Sequence, residues 1–202
     1  MSSSRSTLRQ LGTAVRAIVI LTLVLGTGYP LVVTGIGQVA LPDRANGQPL
    51  TFDGGTIGSA IIGQSFSDAE GAALPEWFQS RPSAAGGGYD GGASGGSNLG
   101  PENEDLTAAI EERRAAVAGL EGVDPASVPA DALTASASGL DPHISPEYAQ
   151  LQVPRVAAER ELDEAGVEAL VEENTQGPDL GYLGEASINV VELNLALARL
   201  DT

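Results

Sequence analysis

The most constraining feature of the sequence is an uncharged apolar run near its N-terminus. Residues 17–41 read AIVILTLVLGTGYPLVVTGIGQVAL and contain no acidic or basic side chain. A helix of 25 residues rises about 37 Å, more than the ~30 Å hydrocarbon core of a bilayer. A buried helix of a soluble domain would show a polar face at 3.6-residue spacing, and this run has none. The sequence therefore predicts a transmembrane helix over residues 14–34.

Two residues of this run suggest contacts within the membrane. Tyr29 is placed near the far headgroup region, where aromatic side chains are enriched. Pro30 lacks a backbone N–H and would kink the helix, which a neighbouring protein helix can compensate. Both residues are therefore candidates for contact with a partner.

Two other interpretations of the run are a cleavable signal peptide and a buried helix of a soluble domain. The apolar core of a signal peptide usually spans only ~7–15 residues and is followed by small residues at the cleavage site. The run is longer than this, and Gln38 stands where a small residue is expected. A retained membrane anchor is the favoured interpretation.

The charges around the run predict its orientation. Residues 1–16 contain Arg5, Arg9 and Arg16 and no acid, a local charge of +3. Because the whole chain carries −17, the remainder carries −20. Flanking Arg residues are retained in the cytoplasm. We therefore expect a single-pass protein of the cell membrane, with a cytoplasmic tail at residues 1–13 and the main domain outside the cytoplasm.

The rest of the chain predicts an α+β fold, with a single N-terminal transmembrane helix followed by one compact mixed α+β extracytoplasmic domain. Residues 35–55 read as a tether and residues 56–202 as the domain. Short apolar runs predict strands at 56–63 and 131–135. Capping patterns predict helix starts after four polar residues, Asn103, Ser145, Asp163 and Asn189, and the helix after Ser145 is expected to be short.

Composition excludes several functions. The chain has no Cys, no Lys and a single His, His143. Without Cys there is no thiolate zinc site, iron–sulfur cluster or disulfide, and without Lys there is no Walker A loop. With 27 acidic and 10 basic residues, the chain is also unsuited to binding nucleic acid, whose phosphates require clustered cations. We predict no resident metal and no directly bound cofactor.

A glycine-rich segment spans residues 86–100, with eight glycines in GGGYDGGASGGSNLG. Composition alone favours disorder, because glycine loses the most backbone entropy on folding. An ordered loop that a partner approaches closely is the alternative.

Ser94 lies in a G-x-S-x-G pattern, and His143 beside Asp141 is the only possible base. A membrane-anchored extracytoplasmic hydrolase is therefore the alternative function.

Seven segments occur in order along the chain: GTGYPL (26–31), GSAIIGQSF (58–66), WFQSRPSAAG (77–86), YDGGASGGSNLGP (89–101), LTASASGLDPHISP (133–146), QVPRVAAER (152–160) and INVVELNLAL (188–197). Together they resemble the KdpC family, the C subunits of Kdp potassium-transporting ATPases. The resemblance covers nearly the entire chain. It also changes the expectation for the glycine-rich segment, which now reads as an ordered loop.

The resemblance implies a non-catalytic subunit of a high-affinity, ATP-driven potassium importer. Its implied partners are the channel-like subunit KdpA, the ATPase subunit KdpB, the small subunit KdpF and the lipid bilayer. Potassium and ATP are then handled by the complex rather than bound directly by this chain. Its implied roles are stabilising the assembly and raising the ATP affinity of the catalytic subunit, as a catalytic chaperone. No catalytic residue is expected.

The candidate partner-contact residues are Tyr29, Pro30, Arg81, Ser94, Ser97, Asn98, Asp141, His143 and Arg155. For the charged members and the histidine, the alternative that each only ties loops together within the domain is equally open.

Overall fold

The structure, a computed structural model, describes residues 3–200. Residues 1–2 of the predicted cytoplasmic tail and residues 201–202 of the predicted domain lie outside this range. The chain divides into two units, Met1–Gln48 and Pro49–Thr202.

The first unit is helical. Helix α1 (Ser3–Leu23) continues through a π-helical turn (Val24–Gly28) into helix α2 (Tyr29–Ala40). In the described part of the chain this is the one helix long and apolar enough to cross a membrane, over Ser6–Ala40. Its large apolar side chains are exposed all around the axis. The wide π-helical turn ends two residues before Pro30, whose ring would otherwise clash with the carbonyl four residues earlier.

The predicted tether at residues 35–55 contains regular structure. After α2, a short helix α3 (Pro42–Ala45) follows, and Asn46 and Gln38 exchange side-chain amide hydrogen bonds of 3.1 and 3.2 Å. The second unit then opens with a hairpin of β1 (Pro49–Phe52) and β2 (Gly55–Ser59). Asp53 and Gly54 both adopt positive φ, as an Asp-Gly hairpin turn requires. The hairpin includes the start of the predicted strand at 56–63.

Four helices and a small sheet form the rest of the second unit. The helices are α4 (Glu104–Glu121), α5 (Pro146–Glu159), α6 (Glu164–Glu173) and α7 (Val190–Leu200). The antiparallel sheet has the order β3 (His143–Ile144), β5 (Ser187–Asn189), β4 (Thr175–Gln176). Phe78, Ile188, Leu193 and Leu197 are among the fully buried side chains of the core. The mixed α+β class of the domain is therefore confirmed.

The predicted helix starts are confirmed, because capping is local. The Asn103 side chain accepts hydrogen bonds from the N–H groups of Asp105 and Leu106, and Ser145 accepts one from Tyr148. Asn189 accepts from Val191 and Glu192 at 3.1 and 3.2 Å. Asp163 precedes α6, although its side chain makes no capping hydrogen bond.

Two local expectations were wrong. The predicted strand at 131–135 is instead a 3₁₀ turn (Ala130–Ala132), closed by the Leu133 N–H on the carbonyl of Ala130. The Thr134 hydroxyl donates to the same carbonyl at 2.9 Å, so this run satisfies itself locally rather than through a sheet. Helix α5 is not short: it continues past Pro154, which is exposed, because its inner face is buried in the core.

Candidate functional site

A central segment, residues 75–83, passes beside the core and is held by two buried side-chain amides. The backbone N–H of Phe78 donates to Asn194 Oδ1 at 3.0 Å, and Asn194 Nδ2 donates to the Phe78 carbonyl at 2.9 Å. Gln152 bonds the backbone N–H and carbonyl of Gln79 in the same way, at 2.6 and 3.2 Å. The amides thus replace the neighbouring strand that a buried backbone would otherwise need.

Arg155 ties this segment to two helices. Its Nε donates to Glu121 Oε2 at 2.9 Å, and its Nη2 donates to Gln152 Oε1 at 2.8 Å. Its Nη1 donates to the carbonyls of Trp77, at 3.0 Å, and of Pro75. The Arg155 and Glu121 side chains are only 7% and 0% exposed. This predicted partner-contact residue therefore lies inside the domain.

Glu121 is incompletely satisfied in this pair. Its Oε1 is buried and has no hydrogen-bond partner among residues 3–200. Burial raises the pKa of the Glu121 carboxyl, and the hydrogen bond and positive charge of Arg155 only partly offset this. Burying the Arg155–Glu121 pair costs desolvation free energy. Removing either side chain would leave the other charge buried without its partner.

Arg81, Asp141 and His143 come together in a second cluster. Arg81 Nη1 donates to Asp141 Oδ2 at 2.9 Å, and His143 Nδ1 lies 3.0 Å from Asp141 Oδ1. Arg81 also donates to the carbonyl of Thr134 through Nε and Nη2. Burial raises the pKa of Asp141, but hydrogen bonds from His143 and Arg81 outweigh it and the net pKa lies below the ordinary value.

This second cluster is only partly exposed. It lines a cleft of about 200 Å³ together with Asp131 and Glu185. No group of three or more His, Cys, Asp or Glu side chains within residues 3–200 is arranged to hold a metal ion.

The glycine-rich segment is an ordered loop, so the expectation of disorder drawn from composition was wrong. The Ser83 hydroxyl donates to the Gly139 carbonyl at 2.6 Å and accepts the N–H of Tyr89 at 2.8 Å. The Tyr89 hydroxyl donates to the Arg81 carbonyl, and burial raises the pKa of Tyr89 to about 12. Gly139 has φ +66°, and a Cβ there would lie 2.7 Å from the Ala85 nitrogen and the Gly95 oxygen.

Ser94 is bound within the same loop system rather than to a base. Its hydroxyl donates to the Ser138 carbonyl at 3.0 Å, and the N–H of Gly95 donates to the same oxygen at 2.8 Å. His143 Nδ1 faces Asp141, and among the described residues no hydrogen bond joins Ser94 to His143. The contact that activates a serine nucleophile is therefore not formed.

The remaining candidates are accessible. Ser97 and Asn98 are exposed at the end of the glycine-rich loop, where Asn98 adopts a left-handed φ of +54°. Tyr29 and Pro30 are exposed on α2 of the first unit.

Sequence reasoning missed three buried polar residues: Glu121, Gln152 and Asn194. Each lies on a helix, and the two amides are flanked by apolar residues that face the core. An uncharged amide at the core-facing spacing of an amphipathic helix was the available signal. The sequence does not indicate which group each amide binds, because the backbone partners of Gln152 and Asn194 are 73 and 116 residues away.

Comparison with known proteins agrees with the resemblance. The sequence model described as "KdpC: K+-transporting ATPase, c chain" matches residues 11–199. A potassium-transporting ATPase KdpC subunit of Kineococcus radiotolerans is 55% identical over 190 residues, covering 94% of this chain and 93% of the relative. The KdpC subunit of Mycobacterium tuberculosis H37Rv is 50% identical over 194 residues, covering 95% and 99%. That of Koribacter versatilis is 46% identical over 189 residues, covering 94% of each chain. The match includes both the apolar helix and the domain, and this chain therefore belongs to the KdpC family.

Proposed function

We propose that this chain is the membrane-anchored, non-catalytic subunit of an ATP-driven potassium importer and that it stabilises the assembly. The observation that carries the proposal is the family match over residues 11–199, which includes the helix and the domain alike. The relatives are named as subunits of potassium-transporting ATPases. The proposed partners are the channel-like subunit KdpA, the ATPase subunit KdpB and the small subunit KdpF.

The internal chemistry of the domain supports a structural role. Arg155 and Arg81 bind backbone carbonyls and carboxylates of their own chain, and the Ser94 hydroxyl binds a loop carbonyl. Such contacts fix loops in place. A rigid domain with pre-ordered loops loses little entropy when it docks, which suits a subunit that holds others together.

We place the N-terminus in the cytoplasm and the domain outside, on the strength of the Arg residues before the apolar run. Cytoplasmic ATP then lies across the bilayer from the domain. Any increase in the ATP affinity of the catalytic subunit would therefore be indirect, by favouring one of its conformations.

Co-purification tests the function. When this chain is expressed with the other subunits of its complex, we expect the detergent-solubilised chain to purify with them and the complex to hydrolyse ATP in response to potassium. Ser94→Ala is expected to leave both properties unchanged, since the hydroxyl only bonds a loop carbonyl. Failure of the chain to associate would contradict the proposal. Loss of an ester-hydrolysing activity on Ser94→Ala would favour the hydrolase alternative instead.

Cysteine labelling tests the orientation separately. The chain has no Cys, so one introduced cysteine is the only reactive thiol. In intact spheroplasts, a membrane-impermeant maleimide is expected to label Ser97→Cys, on the exposed loop, and to label Ser6→Cys only after lysis. The opposite pattern would place the domain in the cytoplasm and contradict the proposed topology.

A further inference from the structure

The segment 178–184, PDLGYLG, forms a small turn that we name the apolar tip. Leu180 is 81% exposed, Tyr182 74% and Leu183 50%. Large apolar side chains grouped on one exposed turn commonly mark a contact surface, whereas single exposed ones are ordinary.

The apolar tip is preformed. Asp179 and Leu183 exchange two backbone hydrogen bonds of 2.9 Å, and the N–H of Gly181 donates to the Pro178 carbonyl at 3.0 Å. Leu180 has a φ of +54°, in the left-handed region that Gly or Asn fills at lower free energy. The position therefore holds an outward leucine on a backbone that leucine disfavours, which is not what a purely structural turn needs.

Charge around the apolar tip narrows the class of partner. Residues 161–198, which flank the apolar tip in sequence, contain nine acidic side chains and no Arg, Lys or His. Arg81 and His143 share a cleft with Glu185, and both are paired with Asp141. Asp179 and Glu185 stand exposed beside the exposed apolar residues. An anionic lipid surface would be repelled by this region, and so would a second copy of the same chain. A protein surface with an apolar centre and a basic rim is the complementary partner.

We propose that the apolar tip docks on a neighbouring subunit of the complex, in an apolar pocket rimmed by Arg or Lys. This inference rests on the proposed function, because it assumes that such a complex exists. Leu180 and Tyr182 are the anchoring side chains, and the surrounding acids set orientation and association rate.

Two variants and a matched control test the docking. Leu180→Asn and Tyr182→Ser are each introduced into the full chain, and Ile61→Ser changes an apolar residue that is 52% exposed outside the apolar tip. The measurement is the apparent dissociation constant for the solubilised complex. We expect each tip variant to bind at least tenfold more weakly, about 1.4 kcal/mol, and the control to stay within about twofold.

Stability is measured on the same proteins. Because Asn suits a left-handed φ better than Leu does, Leu180→Asn is expected to unfold at the same temperature as the wild type or higher while binding more weakly. Wild-type affinity in both tip variants would overturn the docking inference and leave the proposed function intact. Failure of the wild-type chain to associate at all would instead overturn the proposed function.

Photo-crosslinking identifies what the apolar tip touches. With Tyr182→p-benzoylphenylalanine in native membranes, we expect a crosslinked band whose mass is that of this chain, 20.5 kDa, plus one other subunit. A band of two copies of this chain, or an adduct with phospholipid alone, would overturn the inference.

Discussion

Arg155→Met is expected to lower the free energy of unfolding by about 3–5 kcal/mol, the cost of breaking one side of a buried ion pair. The change leaves the Glu121 carboxylate buried without its cation, and it removes donors from the carbonyls of Pro75 and Trp77. The measurement is denaturant unfolding of the purified chain, followed by the fluorescence of Trp77. Trp77 is the only tryptophan and belongs to the same segment.

Two control variants separate the causes of this loss. Arg114→Met removes a partly exposed arginine whose ion pair with Glu111 is 3.6 Å long, and it is expected to change stability by no more than about 0.5 kcal/mol. Combining Arg155→Met with Glu121→Leu removes the stranded charge, so the double variant is expected to be more stable than Arg155→Met alone.

Either of two results would contradict this account of the pair. A loss below about 1 kcal/mol for Arg155→Met would show that the guanidinium is not the link that the distances indicate. A double variant less stable than Arg155→Met would assign the cost to the unbonded carbonyls rather than to Glu121.

The interactions around Arg155 also show which contacts could not be predicted from the sequence. The sequence predicts Asn103, Ser145 and Asn189 as helix caps, because a cap bonds an N–H group only two or three residues away. The structure contains these short-range hydrogen bonds. Gln152 and Asn194 bond backbone across 73 and 116 residues, and no local pattern specifies such a partner. Capping is a property of a short peptide, whereas these amide contacts exist only after the chain has folded.

In the candidate site, too, contacts between residues close in sequence could be predicted and contacts between distant residues could not. Asp141 and His143 are two residues apart, so their contact could be anticipated, but Arg81 reaches Asp141 across 60 residues. The glycine-rich loop was misjudged from composition because Ser83 and Ser138, which lie outside it, supply the hydrogen bonds that order it. The family resemblance corrected that expectation by carrying information about distant contacts that composition lacks.

Replacing residues 1–40 with a cleavable signal peptide is expected to release residues 41–202 as a soluble extracytoplasmic protein that binds the other subunits about 10²–10⁴-fold more weakly. The replaced region contains the whole of the Ser6–Ala40 helix, and the second unit begins later, at Pro49. Anchoring in the shared bilayer turns domain docking into an effectively intramolecular event, and this advantage disappears when the helix is removed. The measurement is the apparent dissociation constant for partners embedded in membranes, where the full chain and its partners share one bilayer.

A second replacement distinguishes anchoring from specific helix contact. An unrelated single-span helix with the same flanking Arg residues restores the high effective concentration but removes Tyr29, Pro30 and the π-helical turn before them. We expect it to return the chain to the membrane and to recover only part of the affinity, because close helix packing depends on the particular residues at the contact. Full recovery would mean that the helix acts only as an anchor and that Tyr29 and Pro30 contact no partner. If the soluble protein bound as tightly as the full chain, the domain alone would account for assembly and the proposed role of the helix would be wrong.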